Sequence, residues 1–171
     1  MAYSYDLPFG PNKRFANAPG PLGKVIGGWQ VSGITYLRSG QPFSVVFSPT
    51  LAGWLGNRAD ALRDGKLSRS ERSINRWFDA SAYGVPASFT YGNSARNLLF
   101  GPGDIVFDVS VLKNTAIHER WTAQFRAEFF NLPNHANFGN PAASISNPGS
   151  VGRITSAGDP RQIQFGLKVL F

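Results

Sequence analysis

Ile163-Gln164-Phe165-Gly166-Leu167-Lys168-Val169-Leu170-Phe171 closes the sequence and decides how the rest is read. Residues 163, 165, 167, 169 and 171 are large and apolar; Gln164, Gly166 and Lys168 fall between them, and only Leu170 breaks the pattern. An apolar residue at every second position puts one face of an extended strand against an apolar medium and the other against a polar one. Two further stretches alternate in the same way. Ile105, Phe107, Val109 and Val111 interleave with Val106, Asp108, Ser110 and Leu112. Trp121, Ala123, Phe125, Ala127 and Phe129 interleave with Thr122, Gln124, Arg126, Glu128 and Phe130. Weaker alternation runs from Trp29 to Arg38 and from Phe43 to Ser48, and a sixth candidate, Tyr3 to Leu7, starts almost at Met1. Strands are therefore expected near 2–8, 28–38, 43–48, 104–113, 121–131 and 162–171. The fold class is all-β, with about six antiparallel strands forming a curved open sheet.

Composition agrees. The 171 residues include 19 Gly and 12 Pro, too many breakers for long helices, while 14 Phe, 5 Tyr and 4 Trp supply apolar faces. No apolar run exceeds three residues, against the roughly 20 that a transmembrane helix needs. A barrel strand alternates and leaves no such run.

The connections carry the topology. They are expected to be long over 10–26, short at Ser39–Pro42, long over 49–103, short over Asn114–Arg120 and long over 132–160. Structureless loops beyond about 15 residues are uncommon in compact soluble domains, whereas outer-membrane barrels alternate short periplasmic turns with long extracellular loops. A strand of about 10 residues tilted near 40° spans about 25 Å, the height of a barrel's apolar band. Trp29, Phe43, Trp121 and Phe171 stand at strand ends, where an interfacial aromatic girdle would lie. In such a wall Ile105, Phe107, Val109, Val111, Ala123, Phe125, Ala127 and Phe129 face lipid. Asp108, Arg126, Glu128 and Lys168 then face the lumen, where charges pair across strands.

Chemistry is sparse. With no cysteine there is no disulfide or thiolate metal site, and His118 and His135, both placed in loops, lack a second ligand at metal-binding spacing. No G-x-S-x-G, Walker or dinucleotide motif occurs. Gly101-Pro102-Gly103 is a turn rather than a phosphate cradle, because proline removes an amide donor and no helix is expected after it. Asp108 and Glu128 could suggest a glycosidase pair, but nothing else supports one. The expectation is a non-enzyme with no catalytic residue, cofactor or metal. Net charge is +7, which calls for an anionic partner or surface. Arg58, Arg63, Lys66, Arg69, Arg72 and Arg76 are offset by only Asp60, Asp64 and Glu71. Nucleic-acid binding would interleave aromatics with these cations, and the first, Trp77 and Phe78, come at the edge. A solvated loop, with a helical turn near Ala59–Arg63, is the first expectation instead, and an extracellular loop facing anionic lipopolysaccharide or an anionic ligand the second. Met1-Ala-Tyr-Ser-Tyr-Asp has neither a basic n-region nor an apolar h-region, so no secretory signal is expected there.

With the strands laid out, the chain resembles the C-terminal end of the Oar-like, TonB-dependent outer-membrane transporter barrels of acidobacterial type. The resemblance runs through Gly27-Gly28-Trp29-Gln30-Val31-Ser32-Gly33-Ile34, Ser39-Gly40-Gln41-Pro42-Phe43, Trp77-Phe78-Asp79 with Ala82-Tyr83, and Gly101-Pro102-Gly103. It is strongest in Gln124-Phe125-Arg126-Ala127-Glu128-Phe129-Phe130-Asn131 and Asn134-His135-Ala136-Asn137-Phe138-Gly139-Asn140-Pro141. It closes with Gly152-Arg153-Ile154-Thr155, Asp159-Pro160-Arg161-Gln162-Ile163-Gln164-Phe165 and Phe171. The resemblance implies that Ile163, Phe165, Leu167, Val169 and Phe171 form the C-terminal signal that the barrel-assembly machinery reads. It also implies outer-membrane lipid and lipopolysaccharide as surroundings. The complete protein would add a signal peptide, a plug domain, a barrel of about 22 strands and coupling to the TonB complex. Six strands and no plug mark the present chain as a fragment, not expected to transport alone. The rival expectations are a soluble antiparallel β-sheet module binding a glycan or another ligand and, more distantly, a basic nucleic-acid binder.

Overall fold

The computed structural model describes residues 1–17, 20–48, 57–118 and 120–171, which fall into two compact units. One comprises Met1–Leu37, Ile105–Ala136 and Asp159–Phe171, the other Arg38–Asp104 and Asn137–Gly158. In chain order the elements are β1 (Ala2–Asp6), α1 (Gly20–Ile26), β2 (Trp29–Arg38), β3 (Pro42–Phe43), β4 (Asp60–Ala61), a 3-10 turn (Ala80–Ala82), β5 (Tyr83–Gly84), β6 (Leu99–Phe100), β7 (Asp104–His118), β8 (Trp121–Phe130) and β9 (Gln162–Leu170).

The first unit is an open sheet in the order β1-β2-β7-β8-β9. β1 and β2 run antiparallel with Tyr3 opposite Gly33 and Tyr5 opposite Val31. Gly33 is required there, because an added Cβ would lie 2.6 Å from the Tyr3 hydroxyl and 2.5 Å from the Asp108 carbonyl oxygen. The Asn114 amide donates to the Gly28 carbonyl at 2.8 Å, tying β7 to the start of β2. β7–β8 and β8–β9 are antiparallel, with Val109 opposite Phe129 and Phe129 opposite Ile163. The all-β, antiparallel, open architecture expected from the alternation is the one observed.

α1 lies in the connection expected to be a plain loop over 10–26. Pro21 at its start has a φ suited to a first turn, and Gly27-Gly28 end it, Gly28 at φ +74°. β7 also runs further than its alternation indicated, to His118, with a register shift between Ala116 and His118. The expected seven-residue link is thereby shortened, and His118 lies on a strand opposite Trp121 rather than in a turn.

The stretch 43–48 corrects the sequence reading. Only Phe43 belongs to a strand, and that strand, β3, pairs with β6 outside the main sheet. Its alternation is genuine, since Phe43, Val45 and Phe47 are all buried, but they fill the core of the second unit. Period-2 spacing identifies a buried face without saying what buries it. Phe43 therefore is not part of an interfacial girdle. The expected helical turn near Ala59–Arg63 is likewise a strand: β4 pairs with β5, and the Leu62 amide donates to the Ala82 carbonyl at 2.8 Å.

The two long connections expected over 49–103 and 132–160 supply most of the second unit, which has its own core. Phe78, the most buried large side chain there, packs 5.7 Å from Phe43 and edge-on to Tyr83 at 6.0 Å between centroids. Residues from the second connection join it: Val46 bridges Ser144, and Ile145 and Val151 pack on the core. Residues 49–56, within the first expected loop, lie outside the described residues.

Candidate functional site

The three-strand register β7-β8-β9 sorts the expected site residues onto two faces. On one, Val109, Phe129 and Ile163 form a row, then Val111, Ala127 and Phe165, and further along Ala123 pairs with Val169. Phe125 sits between Lys113 and Leu167 on the same face, and its ring stacks on Phe165 at 6.1 Å and 17°. The apolar row is exposed where it reaches β9: Phe165 is 67% and Leu167 75% accessible. Trp121 and Phe171 lie 5.6 Å apart at the end of this strand pair. Ile105 and Phe107 continue the odd-numbered register of β7.

The other face carries Ser110, Glu128 and Gln164 in one row, Leu112, Arg126 and Gly166 in the next, then Asn114, Gln124 and Lys168. Asp108 belongs to this register. Among the described residues these charges do not pair across strands as expected. Arg126 and Glu128 meet along one strand at 3.6 Å, and Gly166, opposite Arg126 on β9, offers no side chain to pair with. Asp108 accepts the Asn131 amide at 2.8 Å, so it holds the chain where β8 ends. Gln124 donates to Asn114 across β7 and β8 at 2.9 Å. A cavity of about 330 Å³ has Ser32, Asp108, Ser110 and Glu128 among its walls.

Two residues escaped the sequence reading. Lys113 interrupts the apolar row, a signal visible as a lysine in odd register after Val111. Its ammonium donates to the carbonyls of Lys24, at 2.6 Å, and Gly27, and lies 5.4 Å over the Trp29 ring. It thereby satisfies the orphan carbonyls at the C-terminal end of α1. Asn131 is buried at φ +49°, and its carboxamide donates to the carbonyls of His135 at 2.9 Å and Asp159 at 3.1 Å while accepting the His135 amide at 3.0 Å. His135 is thus a loop residue, as expected. Asn134 repeats the device by accepting the Arg161 amide at 3.0 Å. Only sequence contact between residues about 30 apart would have shown this clamp.

In the second unit the basic stretch is partly neutralised. Arg63 pairs with Asp79 at 2.9 Å, Arg76 approaches the same carboxylate at 3.9 Å, and Arg58 donates to the Ser94 carbonyl at 2.7 Å. The Ser81 hydroxyl, followed by Arg63, holds the Asp79 carboxyl below the usual carboxylate value. Burial pushes the Tyr83 phenol up. Among the described residues, no three His, Cys, Asp or Glu side chains are grouped to hold a metal.

An open antiparallel sheet with an exposed apolar face backed by a polar, charged one is a stretch of membrane-barrel wall. Residues 1–164 match the family model of the outer membrane beta barrel domain, and the chain belongs to that family. Its location is the outer membrane, which sets aside the soluble-module expectation. No curated protein and no solved structure matches the chain.

Proposed function

We propose that the chain is the C-terminal wall segment of an Oar-like, TonB-dependent outer-membrane receptor, not competent for transport alone and without catalytic activity. The observation that carries the reading is the register that gathers Val109, Phe129, Ile163, Val111, Ala127 and Phe165 on one face and Ser110, Glu128 and Gln164 on the other. In this reading Ile105, Phe107, Val109, Val111, Ala123, Phe125, Ala127 and Phe129 meet lipid and lipopolysaccharide. Asp108, Arg126, Glu128 and Lys168 look into a water-filled lumen. Ile163, Phe165, Leu167, Val169 and Phe171 present the terminal strand to the barrel-assembly machinery. A five-stranded sheet cannot close, since the smallest common membrane barrels have eight strands. Further strands, a plug and a TonB-coupling segment would complete the receptor and import a large nutrient.

Two measurements test this. Sequencing the gene upstream of Met1 should reveal in-frame alternating strands, a plug and a coupling segment; a promoter and ribosome-binding site there would overturn the receptor reading. Because the chain has no cysteine, Leu167→Cys and Lys168→Cys in the complete barrel can be labelled singly. A water-soluble maleimide should modify position 168 and spare 167, and the reverse would invert the faces.

A further inference from the structure

We propose that the second unit contains a binding site for a phosphorylated sugar, formed by Arg69, Arg72 and Trp77 over the Gly101–Gly103 turn. These residues line a cleft of about 450 Å³, within the size range of small-ligand sites and ample for a monosaccharide phosphate. The inference needs only the geometry of this unit and stands apart from the transport reading.

The cleft is built from fixed parts. The Trp77 indole donates its N–H to the Phe100 carbonyl at 2.8 Å, and its backbone amide donates to Gly152 at 2.7 Å, so the half-buried ring has one orientation. Arg72 is held by its Nε donating to the Leu67 carbonyl at 3.0 Å, with the guanidinium 5.6 Å over the Trp77 ring. Its two terminal amino groups are left to face a ligand. The Gly101 amide is tied to the Gln41 carbonyl at 2.9 Å, and a Cβ at Gly101 would meet the Asn140 side chain at 1.9 Å. The floor is thus narrow, rigid backbone, and its proline removes a donor, so the arginines rather than the amides must hold the anion.

Charge is what the cleft leaves unanswered. The carboxylates of the unit are engaged elsewhere: Asp60 with the Asn93 amide, Asp64 with the Lys66 amide, Glu71 with Ser68, Asp79 with Arg63, and Asp104 with Arg38. Among the described residues Arg69 and Arg72 have no ion-pair partner. Two guanidinium forks at one cleft match the oxygen geometry of a phosphate, which accepts paired donors from arginine. The adjoining indole offers an apolar edge to a sugar ring. Two sources carry this chemistry: a free sugar phosphate, or the phosphorylated sugars of lipopolysaccharide.

The test uses the full 171-residue chain folded in detergent and follows binding by titration calorimetry with glucose 6-phosphate, glucose and rough-type lipopolysaccharide. Binding of glucose 6-phosphate but not glucose is expected, weakened about tenfold or more by Arg69→Gln and unaffected by Lys13→Gln, a charge change in the other unit. Among the described residues Arg69 makes no side-chain hydrogen bond or ion pair, so loss of binding there reports the site rather than misfolding. Lipopolysaccharide competing with glucose 6-phosphate would assign the lipid source, and failure to compete the soluble one; either supports the site. Equal affinity for glucose, equal weakening by Lys13→Gln, or no binding of either phosphorylated probe would overturn it.

Discussion

Asn131 stabilises the end of β8 through both its backbone and its side chain. At φ +49° it occupies a conformation that asparagine tolerates better than other non-glycine residues, and its carboxamide spans to His135 and Asp159. Asn131→Ala would leave part-buried backbone groups of His135 and Asp159 without this partner, costing about 1–2 kcal/mol. Asn131→Gly would relieve the backbone and still lose the clamp, so both should lower the urea midpoint of the detergent-folded chain. A shift below the measurement error in both would show that the clamp contributes nothing. Asp79 makes a different prediction, because its carboxyl is held below the ordinary value of 3.8 by the Ser81 hydroxyl and then by Arg63. A depressed carboxylate contributes stability that is present above 3.8 and lost as the pH falls through the folded value. The wild-type unit should therefore weaken below about pH 4, while Asp79→Asn, already weaker at neutral pH, should lose less in that window. The effect should be small because the pair is solvent-screened. Circular dichroism melts at pH 7 and pH 3 measure both.

At the scale of elements, β9 is the strand on which the face assignment can be broken. Leu167 pairs with Phe125 and Lys168 with Gln124, on opposite faces. Near the bilayer midplane an arginine on the lipid face costs about 2–4 kcal/mol, whereas a lumenal change is milder. Leu167→Arg in the complete barrel should sharply reduce the heat-modifiable, folded fraction in outer membranes, while Lys168→Leu should assemble nearly normally. Deleting Phe171, which contacts Trp121, should slow assembly. Equal recovery of the two substitutions would mean that the assignment of these positions to opposite faces is wrong. The neighbouring elements show how far periodicity reaches. β7 and β8 were legible because long runs alternate cleanly, as in Val109–Val111 against Ala127–Phe129. β3 was misplaced because Phe43, Val45 and Phe47 alternate just as well toward a different core.

Across the whole molecule, the outer strands β1 and β9 leave backbone donors and acceptors unpaired along two edges. β9 is exposed along its whole length. Together with the apolar row through Phe165 and Leu167, these edges should make the isolated chain aggregate in plain buffer and require detergent. Size-exclusion chromatography with light scattering decides: a monodisperse, cooperatively unfolding monomer without detergent would contradict a membrane-facing sheet.

The strand class, the two-faced character of β7, β8 and β9, and the excess of positive charge between Arg58 and Arg76 are all legible in the order of residues. These follow from local alternation and composition, which need no knowledge of partners. Which faces meet follows from the folded chain alone: Phe78 packs against both Phe43 and Tyr83, Ile145 joins their core from a hundred residues on, and Arg69, Arg72 and Trp77 share a cleft with the Gly101–Gly103 turn. Contacts between irregular segments so far apart leave no period in the chain, because each is fixed by packing and hydrogen bonds rather than by the repeat of a strand.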